Sequence, residues 1–295
     1  MKKRITVVWT LLTISILAFA QPFMFKHLEV ADGLSNNSVY AILKDKDGFM
    51  WFGTNSGLNR FDGYTFKIYR HQHEDPASLP DNYVWGIVEG PEHYLWIRTG
   101  VGYALFDKAK DEFLPQYGGF MEKLGSKWNP ECVYADSVGN TWLSVAGEGL
   151  YCYGKDQTVR FLSLYTYGFP DSGVTSIVRC AEGVLLLYNT GKLICVDPDE
   201  LRQKWVKNEI MDRTGGKPTH YISFLDREGC VWISSSLGLW VYDAVSKKRR
   251  PDLTAPWKNQ EDIVHAIAQD EKGRIWVGKD YGGVDVYDKR TGELN

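Results

Sequence analysis

One spacing constrains this chain more than any other feature. Tryptophans stand at 51, 96, 142, 232 and 276, with Leu186 at the one missing position, so the steps are 45, 46, 44, 46 and 44 residues. Around them the chain rewrites one sentence: "DKDGFMWFGTNSGLNRFDGY" (45–64), "DSVGNTWLSVAGEGLYCY" (136–153), "DREGCVWISSSLGLWVYD" (226–243) and "DEKGRIWVGKDYGGVDVYD" (270–288). A catalytic motif is normally written once, whereas a motif rewritten at an even period is architecture. Each unit holds short apolar, β-branched or aromatic runs. In the first these are "SVYAIL", "FMWFGT", "LNRFD" and "YTFKIY", punctuated by Asp-Lys-Asp-Gly, Asn-Ser-Gly and Asp-Gly. Four strands per unit at about this period predict an all-β β-propeller of four-stranded antiparallel blades, with six repeats near 38–69, 83–114, 130–163, 174–200, 220–248 and 264–295. Almost no helix is expected.

The recurring residues have physical roles. Gly48, Gly139, Gly229 and Gly273 supply positive φ in the first hairpin, three residues after an Asp that can accept backbone N–H groups. Asp62, Asp107, Asp197, Asp243 and Asp288 close the third strand and start the next hairpin in the same way. The Asp-x-Asp-Gly run lacks the remaining ligands of a calcium loop. An indole buries roughly 150–250 Å², worth at most about 4–6 kcal/mol of transfer free energy. One Trp51-type ring per blade, wedged between sheets, accounts for much of an aromatic content of 14%.

Composition narrows the class. Net charge is −3, so no basic footprint points to nucleic acid. Lys2, Lys3 and Arg4 precede an apolar run from Ile5 to Ala20, which reads as a secretory signal, residues 1–20, with the propeller occupying 21–295. The mature chain is then exported. Five cysteines (132, 152, 180, 195 and 230) follow no CxxC spacing and are expected as buried free thiols. Cys132 and Cys152, and likewise Cys180 and Cys195, would lie two strands apart.

The stretch "DGLSNNSVYAILKDKDGFMWFGTNSGLNRFDGYTFKIY" (32–69) resembles the first repeat of the two-component regulator propeller family. The resemblance rests on D-G-L-S-x-N, D-x-x-G-F-x-W-x-G-T and G-L-N-R-F-D-G, and weakens in units three and four. Unit two has His93 at the turn Gly and Arg98 where Gly53 stands. The resemblance implies the periplasmic sensor region of a hybrid two-component histidine kinase. In that setting two propellers, typically seven-bladed, precede a β-sandwich, a membrane helix, a kinase and often a receiver with a DNA-binding output. It further implies oligosaccharides from polysaccharide breakdown as ligand, a dimeric full-length receptor, and the remaining propeller and kinase parts as partners. None of the later parts is present, and the chain resembles an N-terminal piece.

No G-x-S-x-G, H-E-x-x-H or P-loop occurs, so no catalytic site, metal or cofactor is assigned. "HQHED" (71–75) is read as a loop. The expected long loops, 70–82, 115–129, 201–219 and 249–262, share one face with the second-to-third strand turns. Tyr83, Arg98, Trp128, His220, Lys279 and Asp280 are the ligand-contact candidates there. A secreted lyase-like or glycan-active enzyme is the alternative. It would need titratable groups in the channel, where the innermost positions read Val39, Val84, Pro130, Val174, His220 and Val264. Finally, "FKHL" (25–28) resembles a fourth strand and unit six lacks one of its own. The array is expected as an open arc that takes about 45 more residues, part of a seven-bladed propeller; the alternative is that 25–28 docks beside 284–288 and closes six blades.

Overall fold

The computed structural model describes residues 26–163, 166, 168–170, 172–217, 221–235, 238–257, 263–279 and 283–295. The signal segment, His220 and Asp280 lie outside them. Six antiparallel sheets follow in chain order, one per repeat, and the fold is the expected β-propeller. Blade 1 holds β1 (Val39–Lys44), β2 (Met50–Thr54), β3 (Gly57–Phe61) and β4 (Phe66–Tyr69). Blade 2 holds β5 (Val84–Glu89), β6 (Tyr94–Thr99), β7 (Gly102–Asp107) and β8 (Glu112–Leu114). Blade 3 holds β9 (Cys132–Ala135), β10 (Thr141–Val145), β11 (Gly149–Tyr153) and β12 (Val159–Ser163). Blade 4 holds β13 (Val174–Cys180), β14 (Gly183–Tyr188), β15 (Leu193–Val196) and β16 (Gln203–Lys207). Blade 5 has only β17 (Ser223–Leu225), β18 (Cys230–Ser235) and β19 (Gly238–Asp243), with a single Tyr242–Arg249 bridge where a fourth strand would run. Blade 6 holds β20 (Val264–Gln269), β21 (Ile275–Lys279), β22 (Val284–Asp288) and β23 (Glu293–Leu294).

Several expectations need correction. Blade 6 has its own fourth strand: Leu294 pairs with Tyr287 and Glu293 with Asp288, so the place beside 284–288 is taken. Residues 26–28 belong to no strand. Part of the expected loop 201–219 is β16, whose polar Gln-Lys-Trp-Val-Lys run hides its strand character. Short helices do occur, at Phe120–Leu124, Glu209–Thr214 and Pro251–Thr254, in the connections leaving blades 2, 4 and 5. In blade 2 the left-handed turn residue is Glu92 (φ 57), one position before His93.

The turn Asp does more than cap a hairpin. In blade 1, Asp45 accepts the Phe49 amide on one oxygen and the Trp51 indole N–H (2.8 Å) on the other. Asp136 does the same with Asn140 and Trp142, Asp226 with Cys230 and Trp232, and Asp270 with Arg274 and Trp276. The indole therefore packs between sheets with its only polar atom satisfied. A cation from the next blade completes three of the four sites. Lys108 reaches Asp45 (3.3 Å), Arg179 reaches Asp136 (3.2 Å) and Lys289 reaches Asp226 (2.8 Å). Asp270 instead pairs with Arg274 of its own hairpin turn. Six residues before Trp96 stands Gly90, and Trp96 Nε1 is buried without a partner. Six before Leu186 stands Cys180. Leu needs no acceptor, so blade 4 has lost both halves of the bond together.

The closing carboxylates anchor their own hairpins. Asp62 accepts the amides of Tyr64 and Thr65, Asp107 those of Ala109 and Lys110, and Asp197 those of Asp199 and Glu200. Asp243 accepts the Ser246 amide and Asp288 that of Arg290. The positive φ of Gly48, Gly139, Gly229 and Gly273 (82–96°) fits the hairpin they share.

The core is not one mass. Five apolar clusters lie between successive blades: Trp51 with Phe106 between 1 and 2, Trp96 with Leu143 between 2 and 3, and Trp142 with Ile177 between 3 and 4. Leu187 with Ile233, then Trp232 with Ile275, fill the next two interfaces. Among the described residues no cluster joins blade 6 to blade 1. Tyr40 and Ile42 on blade 1 and Val284 on blade 6 are exposed. All five cysteines are free and buried, with Cys132 and Cys152 on β9 and β11 and Cys180 and Cys195 on β13 and β15. Burial pushes the Cys132 and Cys195 thiols up to about 12, which keeps them protonated and unreactive.

Candidate functional site

The first strand of each sheet is the innermost, and every first strand starts at the same face. Four of the six begin with a bulge: the register slips between Val39 and Ala41, Val84 and Gly86, Val174 and Ser176, and Val264 and Ala266. The pairing register passes over Tyr40, Trp85, Thr175 and His265. A bulge re-aims such a side chain. This corrects the expected channel lining. Val84 and Val174 are buried within the interblade clusters, and the mouth of the channel is lined one residue later, by Trp85 and Thr175 among others. Both Val and Trp would read as strand residues, and a bulge leaves no composition signal of its own.

Arg98 is the charged centre of this mouth. It stands two residues after Trp96, where blades 1 and 6 have Gly53 and Gly278. A Cβ on Gly53 would lie 2.7 Å from Val84 Cγ1, so blades 1 and 2 are shut tight at that level. A guanidinium at the same level of blade 2 needs a gap before blade 3. Its stem fits because its cross-strand partner is Gly86, where a Cβ would come 2.9 Å from Arg98 Cβ. Blades 1 and 6 have Ala41 and Ala266 at that partner position. The guanidinium lies 3.8 Å from the Trp85 ring centroid and 5.5 Å from that of Tyr103. The Trp85 indole donates to the Thr99 carbonyl (3.0 Å), and the Tyr103 hydroxyl accepts the Val133 amide (3.3 Å). Burial raises the Tyr103 hydroxyl well above the ordinary phenol range. The gap is a cavity of about 230 Å³ that reaches across to Thr175, Ser176 and Ser223.

Around this mouth the remaining candidates separate. Tyr83 is 41% exposed and packs edge-on against Tyr40, itself 48% exposed, at 5.2 Å. Trp128, just before β9, is 66% exposed. Lys279 does not join them: it is buried in blade 6 against Asp285 (3.0 Å), which also accepts the Trp257 indole N–H (2.9 Å). His71, from the loop 70–82, sets its Nδ1 2.9 Å from the Leu79 carbonyl, a tie within its own loop. Sequence reasoning missed Tyr40, Trp85, Tyr103 and the serine pair. The adjacent signal was Arg98 itself, a cation in a glycine position.

Six blades, four of them with an indole hung from a turn carboxylate, open at one end on an aromatic and cationic channel mouth and define a β-propeller with one elaborated face. Residues 33–56 and 259–278 match the model of the two component regulator propeller family. The first matched stretch lies on the residues whose motifs carry the resemblance. Histidine kinase P4 of Formosa agariphila is 48% identical over 73 residues, 25% of this chain and 5% of that kinase. Among solved structures, the extracellular domain of a proposed hybrid two component system of B. thetaiotaomicron superposes with a TM-score of 0.69 at 20% identity, over 92% of this chain and 36% of that one. PorZ, a surface component of the type-IX secretion system of Porphyromonas gingivalis, superposes with a TM-score of 0.51 at 13% identity, over 93% of this chain and 42% of that one. At these identities the superpositions establish the fold alone. The chain spans about a twentieth of the curated relative and about a third of the first solved chain. No helix among the described residues is long and apolar enough to cross a membrane.

Proposed function

We propose that this propeller is the ligand-sensing region of a hybrid two-component receptor, held on the periplasmic side of the inner membrane and tuned to oligosaccharides from polysaccharide breakdown. The observation that carries the reading is the match to two-component regulator repeats near both ends of the array. The channel-mouth face supports the ligand class. Exposed Tyr40, Tyr83 and Trp128 offer flat apolar surfaces for sugar rings, and Arg98 adds a polar anchor. The remaining parts of the receptor would dock where blade 6 faces blade 1 without a shared core, completing the propeller of a dimeric kinase. The chemistry of the kinase belongs to those parts, and this chain contributes recognition.

Calorimetric titration of the exported chain with oligosaccharides from a panel of polysaccharide digests tests the reading. Saturable binding to one glycan class, weakened by Tyr83→Ala and Trp128→Ala at unchanged melting temperature, is expected. Release of new products from intact polysaccharide by the purified chain would replace the sensor reading with the enzyme one.

A further inference from the structure

The channel mouth holds one guanidinium, Arg98, that differs from the other inward-set cations. Lys108, Lys289 and Arg179 at blade interfaces, and Lys279 within blade 6, each pair with at least one carboxylate. Among the described residues no carboxylate lies within ion-pairing distance of Arg98. Its guanidinium packs on the Trp85 ring and reaches the Tyr103 hydroxyl. A ring face holds a guanidinium through the quadrupole, and a single hydroxyl takes few of its five N–H groups, which leaves donors for a ligand. Arg98 is part of the cavity lining.

The far wall supplies one further donor. Ser176 Oγ and Ser223 Oγ are 2.6 Å apart. One hydrogen bond between two hydroxyls consumes one O–H and leaves the other unassigned. Ser176 Oγ also receives the Ser223 amide at 3.3 Å, and whichever hydroxyl donates within the pair, the other O–H remains unassigned. Thr175 is already committed, donating to the Leu187 carbonyl at 3.2 Å. The mouth thus presents a cationic fork and a hydroxyl donor, while Glu131, next to the cavity-lining Cys132, is taken up by the Gly173 and Val174 amides and the Ser144 hydroxyl. At about 230 Å³ the cavity falls below the roughly 300–1,000 Å³ of pockets that engulf a drug-sized ligand, so it suits one terminal residue and not a chain.

We infer that the mouth is a subsite for the oxyanion of an acidic sugar at the end of the ligand, a carboxylate or a sulfate ester, held by the Arg98 fork and the Ser176–Ser223 pair. Planar bidentate pairing is what a guanidinium offers a carboxylate or sulfate and an ammonium does not. The inference rests on the oligosaccharide reading above and deepens it. It divides the glycan classes: uronate-ended or sulfated fragments fit, and neutral fragments engage only the aromatic rim.

The test compares four probes on the whole exported chain: a trigalacturonate, its carboxyl-reduced neutral counterpart, a sulfated disaccharide and inorganic sulfate. The acidic trisaccharide should bind at least ~30-fold more tightly than the neutral one, the range expected for a desolvated charge pair, and should weaken with salt. Arg98→Gln should erase the difference and leave neutral-sugar binding intact, and Arg98→Lys should restore only part of it. Preference for the sulfated disaccharide with the same Arg98 dependence supports the subsite and assigns its anion as sulfate. Should Arg98→Gln fail to fold, Ser176→Ala with Ser223→Ala gives the same readout, a selective loss for the acid. Equal affinity for acidic and neutral sugars overturns the subsite while the sensor reading stands. If no sugar binds, the sensor reading fails, and the subsite survives only if inorganic sulfate binds in an Arg98-dependent way.

Discussion

Blades 1, 3 and 5 solve the problem of a buried indole differently from blades 2 and 4. In the odd blades a carboxylate receives the indole N–H, closes its own hairpin and takes a cation from the neighbouring blade. Blade 2 keeps the indole with Gly90 in place of the carboxylate, and blade 4 gives up both. Propeller stability is therefore not shared evenly among look-alike repeats. The same tryptophan is a hydrogen-bonded junction in one blade and an apolar wedge with an orphan donor in the next.

The largest break should come from Asp226→Ala. It strands the Trp232 N–H and leaves Lys289 with only Glu228, for a loss of about 3–5 kcal/mol in urea unfolding. Next comes a matched pair. Trp51→Phe removes an N–H that has a partner and should cost about 2 kcal/mol, whereas Trp96→Phe removes one that has none and should cost under about 1 kcal/mol. Equal costs would show that the Asp bond contributes nothing. A third change converts one kind of blade into the other. Gly90→Asp places a carboxylate under Trp96, beside a wall that also carries Lys155, the residue of blade 3 that corresponds to Lys108. A new Cβ there stands 3.2 Å from the indole, so the ring must shift slightly. Stabilisation by about 1 kcal/mol is expected, and destabilisation would mean that the ring is fixed.

The smallest effect is in acid. Burial acts to raise the Asp270 carboxyl, but the Trp276 indole and Arg274 outweigh it and hold the group at about 2. A depressed folded-state value contributes stability above the unfolded value near 3.8, and that contribution is lost as pH falls toward about 2. Asp270→Asn should flatten the acid limb of a stability–pH profile between those values, and an unchanged limb would count against the pairing.

Much of the fold was legible because repetition writes it many times. The Trp period, the Asp-x-x-Gly hairpins and the closing Asp residues each recur at fixed offsets. Even the Asp-to-Trp bond was written in a constant offset of six residues, 45 to 51 and 226 to 232, although turn and wedge were read as separate devices. The interblade cations were not legible, because Lys108 lies 63 residues from Asp45 and nothing local marks the partnership. The channel lining failed for another reason. With a side-chain period of two, one bulge turns a correctly located strand to the wrong face. Arg98, conspicuous as a cation in a glycine position, lines the cavity, whereas the Lys279 pairing was not legible because Asp285 lies on the next strand.

Cations paired with the buried turn carboxylates tie blade 1 to 2, 3 to 4 and 5 to 6, while the 2/3 joint has Arg98 on aromatic rings and the 4/5 joint the partly exposed Lys247–Glu182 pair. In a linear array, stability is a sum of unit and nearest-neighbour terms. An uneven alternation of those terms makes the cooperative unit two blades. The molecule then behaves as three coupled beads, so that partial unfolding, hydrogen exchange and proteolytic nicking should advance in steps of about ninety residues, from one alternate joint to the next.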